Sequence, residues 1–355
     1  MLEPTSSNQK DHYLSEGLPV MSRLVLTAVG GDLQDTVTLA ENPDLHLAPG
    51  DVLVEVDAAP VNNADLLFTM GWFSAQPRLP QPLGAEGVGR VIQAGEDVDQ
   101  TLLGRRVIIL PTFVQGTWTD HVVVPASTVV PLSVTNQADA LQLAMLPVNP
   151  ATAYALLHDY ATLRPGDWIG LNLANSAVGN YVIALAKRAG IRTLAVVRRE
   201  SAAEQVRALG ADAVVVDGAD LGERISAALG GERLRLALEG TTDPAQTAAL
   251  VQSLEDGGTV VTFAAATGQA PSVPVGDLIY RGIVLRAFFI LNWIRDTPRK
   301  ELEIVYTELA DLVEQGVLTA PVEATYPLED HRAALAHAAK AERSGKILFV
   351  PRDRS

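Results

Sequence analysis

The sequence predicts an α/β protein with a doubly wound parallel sheet and a second, discontinuous β-rich domain. Three observations carry this. From about 151 to 292, short apolar runs alternate with helix-like segments, the pattern of a parallel sheet covered on both faces. From 22 to 150, short strands are punctuated by glycine and proline with few helices between them, which suits a partly closed β-structure. The tail, Gly345-Lys346-Ile347-Leu348-Phe349-Val350, is strand-like again and is expected to return to the first domain. The domains are therefore 22–150 with 293–355, interrupted by 151–292. Residues 1–21 are polar and aperiodic up to Met21 and are set aside as a flexible extension.

In chain order, Asp51–Asp57 alternates as a half-buried strand should. Gly87–Gly95, Arg106–Leu110 and Gly116–Val124 follow as strands between turn residues. In the middle segment, strands are expected at Asp167–Leu173, Arg192–Val197, Ala213–Val216, Leu234–Leu238, Thr259–Phe263 and Ile283–Ile290. Helices are expected at Gly179–Ala189, 219–229 and 244–254. Ser201-Ala202-Ala203-Glu204 has capping-box spacing and should open another helix. A last helix runs from about Pro298 to Gln315, with proline near its start and Gly316 just past its end.

Composition bounds the function. The chain has 355 residues, is 48% apolar and carries a net charge of −15, so it can fill two cores and has no general attraction for nucleic acid or anionic membrane. No run of apolar residues is long enough to span a bilayer and no secretory signal is visible, so a cytoplasmic protein is expected. Cysteine is absent, which removes disulfides, thiolate nucleophiles and cysteine-ligated zinc together. The six histidines show neither HxxH nor HExxH spacing, so no metal site is expected.

The segment 166–201 reads strand, tight turn, helix, strand. Phosphate-cradling turns place small residues at three positions, here Ala174, Ser176 and Gly179. Only one is glycine, so context carries the argument: a strand before, a helix after, and a second strand at the right distance. A pyrophosphate would sit on the turn Asn175-Ser176-Ala177-Val178-Gly179, where helix N–H groups and the helix dipole favour an anion. Arg198 stands where an acid would bind the ribose 2′-hydroxyl of NAD, and Arg199 follows it. Arginine there complements a 2′-phosphate, so the expected cofactor is NADPH.

With these residues the chain resembles the zinc-independent branch of the medium-chain dehydrogenase/reductase superfamily, most of all its mitochondrial-type trans-2-enoyl thioester reductases and next its quinone oxidoreductases. The resemblance covers Leu24–Phe349. It rests on Pro60-Val61-Asn62-Asn63-Ala64-Asp65, Leu83 to Gly89, Gly116-Thr117-Trp118, Val148 to Tyr154, Asn172 to Gly179, Val196-Val197-Arg198, Leu209 to Asp212 and Leu285 to Trp293. It implies a GroES-like catalytic domain, a Rossmann cofactor domain and a homodimer paired through the last strand of the cofactor sheet. Zinc-dependent members carry histidine in a Gly-His-Glu stretch; this chain reads Gly84-Ala85-Glu86.

The resemblance also implies site residues. Asn62 and Asp65 shape the catalytic floor, Thr152 lies near the nicotinamide, and Trp293 walls the acceptor pocket. Phe263, Ala264, Phe288 and Ile290 present backbone to the nicotinamide ring, and Lys346 reaches the cofactor. In the enoyl reductases a tyrosine in a glycine-X-tyrosine stretch is linked to proton delivery. This chain has Gly71-Trp72-Phe73, and phenylalanine carries no hydroxyl. Thr69, Ser74 or solvent must then supply the proton, or the acceptor must be a small enone or quinone that takes it readily. The expected activity is metal-free, NADPH-dependent hydride transfer to an activated double bond of an enone, quinone or enoyl thioester. An NADPH-binding protein that has lost catalysis and a zinc-dependent alcohol dehydrogenase are the alternatives.

Overall fold

A computed structural model describes residues 21–42, 45–112, 116–135, 137–340 and 343–351. Of the expected N-terminal extension, residues 1–20 lie outside the described residues.

The chain opens with β1 (Ser22–Leu26), the short helix α1 (Leu33–Thr36) and β2 (Val37–Glu41). Then come β3 (Asp51–Val61), helix α2 (Asn63–Thr69), β4 (Gln81–Pro82), β5 (Gly87–Ala94), β6 (Arg106–Ile109), β7 (His121–Pro125) and β8 (Val129–Pro131). Strand β3 is the hub, pairing antiparallel with both β5 and β7. Close approach is possible because position 89 lacks a side chain: a Cβ on Gly89 would sit 2.1 Å from the Glu55 carbonyl oxygen.

The expected strand from Gly116 to Val124 begins only at His121. Gly116 is pressed against the Leu83 backbone, and Trp118 turns into the core. There its indole N–H donates to the Pro60 carbonyl at 3.1 Å and its ring packs 5.2 Å from that of Phe349. Core insertion of the largest side chain in the segment overrides its strand propensity.

Helices α3 (Ala140–Ala144) and α4 (Asn149–His158) lead into the second sheet. It comprises β9 (Trp168–Leu171), α5 (Ala177–Arg188), β10 (Arg192–Val197), α6 (Glu200–Leu209), β11 (Ala213–Val216), α7 (Leu221–Leu229), β12 (Leu234–Glu239), α8 (Pro244–Ser253), β13 (Leu254–Thr262), α9 (Val275–Tyr280) and β14 (Val284–Ala287). The strand order is β11-β10-β9-β12-β13-β14, and every pairing is parallel. The winding reverses between β9 and β12, so a crevice opens beyond the carboxyl ends of those two strands.

Two local expectations are corrected. The strand expected over Ile283–Ile290 ends at Ala287, because helix α10 (Ile290–Asp296) starts at Ile290. The capping box at Ser201 does not form: Ser201 lies inside α6, Arg199 is its N-cap, and the Ser201 hydroxyl instead accepts from Arg199 Nε at 3.0 Å.

After α10 come α11 (Arg299–Glu314), β15 (Val322–Tyr326), α12 (His331–Ala338) and β16 (Lys346–Phe349). Strand β16 pairs antiparallel with β3 at Ile347–Val61 and parallel with β15. The last strand thus brings Lys346 beside the end of β3, where α2 begins. One apolar core runs from Ala58, Val88 and Ile108 of the first sheet through α4 and α11 to Ile169, Leu171 and Leu238 of the second. The site lies along this junction. Among the described residues no helix is long and apolar enough to cross a membrane.

Trp118 is fully buried and both packs and donates. Trp118→Ala should cost about 3–5 kcal/mol of stability, read as a lower urea midpoint at unchanged slope. A loss below about 1 kcal/mol would show that Trp118 is not part of the core it shares with Leu24, Leu83 and Phe349.

Candidate active site

A pocket of about 70 Å³ opens where the two sheets meet. Its walls are mostly apolar: Phe68, Phe73, Leu83, Pro111, Val148 and the α10 residues Ile290 and Leu291 with Phe289 before them. The rings of Phe73 and Phe289 stack with centroids 6.2 Å apart and together form one side. Its polar lining consists of Asn62, Asp65 and Thr112. Trp72, 59% exposed, stands outside, and its ring edge would lie 3.1 Å from a Cβ on Gly268, in the loop after β13.

Asn62 and Asp65 of the pocket floor belong to a largely enclosed charged cluster, completed behind them by Glu86 and Lys346. Asn62 is the N-cap of α2, and its backbone N–H donates to Asp65 Oδ2 at 2.8 Å. The Asn62 amide is locked at both ends: Nδ2 donates to Glu86 Oε1 at 2.7 Å, while Oδ1 accepts from Lys346 Nζ at 2.5 Å and Asn149 Nδ2 at 3.3 Å. Glu86 is fully buried, and its other oxygen accepts the Val148 N–H at 2.8 Å. One carboxylate therefore ties the start of β5 to the entrance of α4 and, through Asn62, to α2 and β16.

Burial dominates the electrostatics. It lifts the Asp65 carboxyl to about 6, against the Asn62 N–H, the Lys346 charge and the Ala85 N–H. It pushes Glu86 well above the carboxylate range, opposed by Lys346 and the Asn62 hydrogen bond. It holds the Lys346 ammonium below the usual lysine value, opposed by Glu86 and Asp65.

The crevice beyond β9 and β12 fits a dinucleotide phosphate. Ser176 caps α5, its hydroxyl accepting from Gly179 N–H at 3.1 Å. The first-turn amides of Ala177 and Val178 have no carbonyl to bond within the helix. A Cβ on Gly179 would lie 2.3 Å from the Ala174 carbonyl oxygen, so helix and turn approach as closely as the fold requires. Arg198 and Arg199 stand exposed at the end of β10. Beneath the turn, Asn172 donates to Glu239 Oε1 at 3.0 Å and accepts from Gly240 N–H at 2.7 Å, while Thr241 and Thr242 amides also donate to Glu239. This network joins the ends of β9 and β12 and stiffens the crevice floor.

The structure brings Asn62, Asp65, Phe73 and Ile290 to one pocket. Asn175, Ser176, Ala177, Val178 and Gly179 form the turn. Phe263 and Ala264 follow β13 directly, half-buried. Thr152 is buried on α4 and does not line the pocket. Phe288 is buried edge-on to Tyr160, on an outer groove rather than the pocket. Trp293 lines that same groove, where its indole N–H donates to Asp159 at 2.9 Å, and is not among the residues lining the pocket over Asn62. Lys346 turns inward to Asn62 rather than to the crevice. Thr69 and Ser74 do not line the pocket; the Thr69 hydroxyl donates to the Leu66 carbonyl at 2.7 Å.

Sequence reasoning passed over Glu86, Asn149 and Glu239. Glu86 carried a signal, an acid flanked by apolar and glycine residues in a strand that is buried, where an acid needs partners. Among the described residues no group of three or more histidine, aspartate or glutamate side chains is placed to hold a metal ion.

Residues 48–134 match the alcohol dehydrogenase GroES-like domain and residues 177–306 the zinc-binding dehydrogenase domain. The chain is 35% identical over 304 residues to the mitochondrial enoyl-[acyl-carrier-protein] reductase of Xenopus tropicalis, covering 82% of this chain and 84% of that protein. A Bacillus thuringiensis protein assigned as an NADPH:quinone reductase superposes with a TM-score of 0.86 at 26% identity, over 94% of this chain and 100% of that one. Escherichia coli quinone oxidoreductase, solved with NADPH, superposes with a TM-score of 0.80 at 24% identity, over 93% and 100%, and shares the fold.

Arg198→Asp replaces attraction for a 2′-phosphate by repulsion. Calorimetry should show NADPH binding weakened at least about tenfold relative to NADH. An unchanged ratio would remove Arg198 from the phosphate site.

Proposed function

The chain belongs to the medium-chain dehydrogenase/reductase family, among its enoyl reductases, and from that premise we propose that it reduces short, uncharged α,β-unsaturated carbonyl compounds. It is an NADPH-dependent reductase of activated double bonds. The narrower reading rests on one observation: the pocket over Asn62 and Asp65 is small, almost wholly apolar, and closed on one side by Phe73 stacked on Phe289.

The chemistry NADPH supplies when bound is a hydride for the β-carbon of an electron-poor double bond. Ala177, Val178 and Ser176 would hold its pyrophosphate and Arg198 its 2′-phosphate. The protein's own work is to exclude water, align the acceptor and manage the charge that develops on its carbonyl oxygen. Phe73 and Phe289 exclude water and select for width. Val148, held through its N–H by Glu86, fixes the opposite wall. An apolar lining narrowed by the Phe73–Phe289 pair favours uncharged acceptors with short tails over long acyl chains.

The reading includes a homodimer through β14, supported by Val284 and Leu285, which are 43% and 44% exposed on the edge of the second sheet. The curated relatives are named mitochondrial, against the cytoplasmic location expected from the sequence; cell fractionation decides between them.

A panel of a methyl vinyl ketone-type enone, a small quinone, and crotonyl and dodecenoyl thioesters, followed by NADPH oxidation, tests the activity. The short acceptors should turn over, with kcat/KM for the long thioester at least about tenfold below that for the short one. Phe73→Tyr should raise crotonyl thioester reduction by about tenfold or more. No turnover on any member removes the reading. Sedimentation should give twice the chain mass, returning to the monomer in Leu285→Lys; a monomeric wild type removes the pairing.

A further inference from the structure

Reduction of a conjugated double bond ends with a proton on the α-carbon, and position 73 has none to give. Few groups can replace it. Among the described residues lining the pocket, the polar side chains are Asn62, Asp65 and Thr112. The Asn62 amide is committed at both ends, to Glu86 and to Lys346. Thr112 offers a hydroxyl, a far weaker acid than a carboxyl and so a slower donor to the enolate. Thr69 and Ser74 stand elsewhere.

We infer that the Asp65 carboxyl is the proton donor, a general acid that lines the acceptor pocket and stands in for the missing ring hydroxyl. This rests on the reading of the pocket as the acceptor site. The step balances as follows. The acceptor gains a hydride at its β-carbon and its double-bond electrons become an enolate. The O–H bond of Asp65 then breaks, a Cα–H bond forms, the carbonyl is restored, and an Asp65 carboxylate remains. Solvent at the pocket mouth returns the proton.

The charge inventory around Asp65 makes such a proton available. Glu86, entering β5, and Lys346, at the start of β16, share its enclosure, and Arg343 stands beyond Lys346 with Nη2 3.2 Å from Asn63 Oδ1. Two carboxyl groups and one ammonium enclosed together favour holding an extra proton. Burial is also what brings the Asp65 carboxyl to about 6, so the acid form is within reach near neutrality. An acid lifted in this way is active below its pKa, and its contribution falls as pH rises through about 6.

The experiment uses full-length protein saturated with NADPH and a short enone. Asp65→Asn keeps a side-chain oxygen to cap α2 but has no acid proton. It should lower kcat about 100-fold and abolish the fall in activity above pH 6. NADPH affinity should stay within about twofold, and a carboxylic-acid infrared band that titrates in the wild type should disappear. Wild-type kcat and pH profile retained in Asp65→Asn would overturn the inference, as would the absence of that band in the wild type. Lys346→Gln supplies a second arm if Asp65→Asn does not fold. It keeps a donor for Asn62 but removes the charge that lowers the Asp65 pKa, so the activity limb should move to higher pH; an unmoved limb also overturns the inference. A wild type that reduces no acceptor sinks the functional reading instead, a different result from turnover insensitive to Asp65→Asn.

Discussion

The enclosed contact of Glu86 and Lys346 with the two ends of the Asn62 amide is the constraint on which the rest depends. Each partner arrives from a distant part of the chain: Asn62 at the end of β3, Glu86 at the start of β5, Val148 and Asn149 at the entrance of α4, and Lys346 on the returning strand β16. Removing one member of a buried ion pair costs about 3–5 kcal/mol, so an arrangement in which Glu86 or Lys346 loses its place is strongly penalised. The return of the C-terminal strand to β3 is thereby coupled to the geometry of the pocket floor. Replacing such a cluster by well-packed apolar residues of similar volume is often neutral for stability, so folding alone does not require it.

The pocket combines two demands that oppose each other. Hydride acceptance needs a dry, close-fitting space, which on the proposed reading Phe73, Phe289, Leu83 and Val148 supply. Completion of the reaction needs a proton, which aromatic and aliphatic walls cannot give. The fold reconciles these by placing Asn62 and Asp65 on the floor, with Glu86 and Lys346 beneath it. On the cofactor side the same logic appears in a rigid form. The Glu239 carboxylate gathers the amides of Thr241 and Thr242 and the side chain of Asn172, so the crevice is shaped before any phosphate enters it.

Much of this was legible from residue order. The alternation of apolar runs and helices marked the parallel sheet, and β10 lies over Arg192–Val197 as its pattern indicates. The turn Ala174–Gly179 was readable from its context, a strand before it, a helix after it and a second strand at the right distance, and the structure adds that a Cβ on Gly179 would lie 2.3 Å from the Ala174 carbonyl oxygen. Local pattern failed where tertiary contacts decide. Trp118 reads as strand but is core, Ser201 reads as a cap but sits one residue inside its helix, and Trp293 is drawn to Asp159. Glu86 was the largest omission. Its role comes from partners 24 and 62 residues away, and no local window holds them.

On the proposed reading the acceptor binds between Phe73 and the Asn62–Asp65 floor. A crystal structure with NADP⁺ and a non-reducible short enone analogue tests it most directly. The claim predicts the analogue's α-carbon within hydrogen-bonding reach of Asp65 and its β-carbon about 3–3.5 Å from the nicotinamide carbon that carries the hydride. An analogue found in the outer groove beside Asp159 and Trp293, with the pocket over Asn62 filled by water, would contradict it.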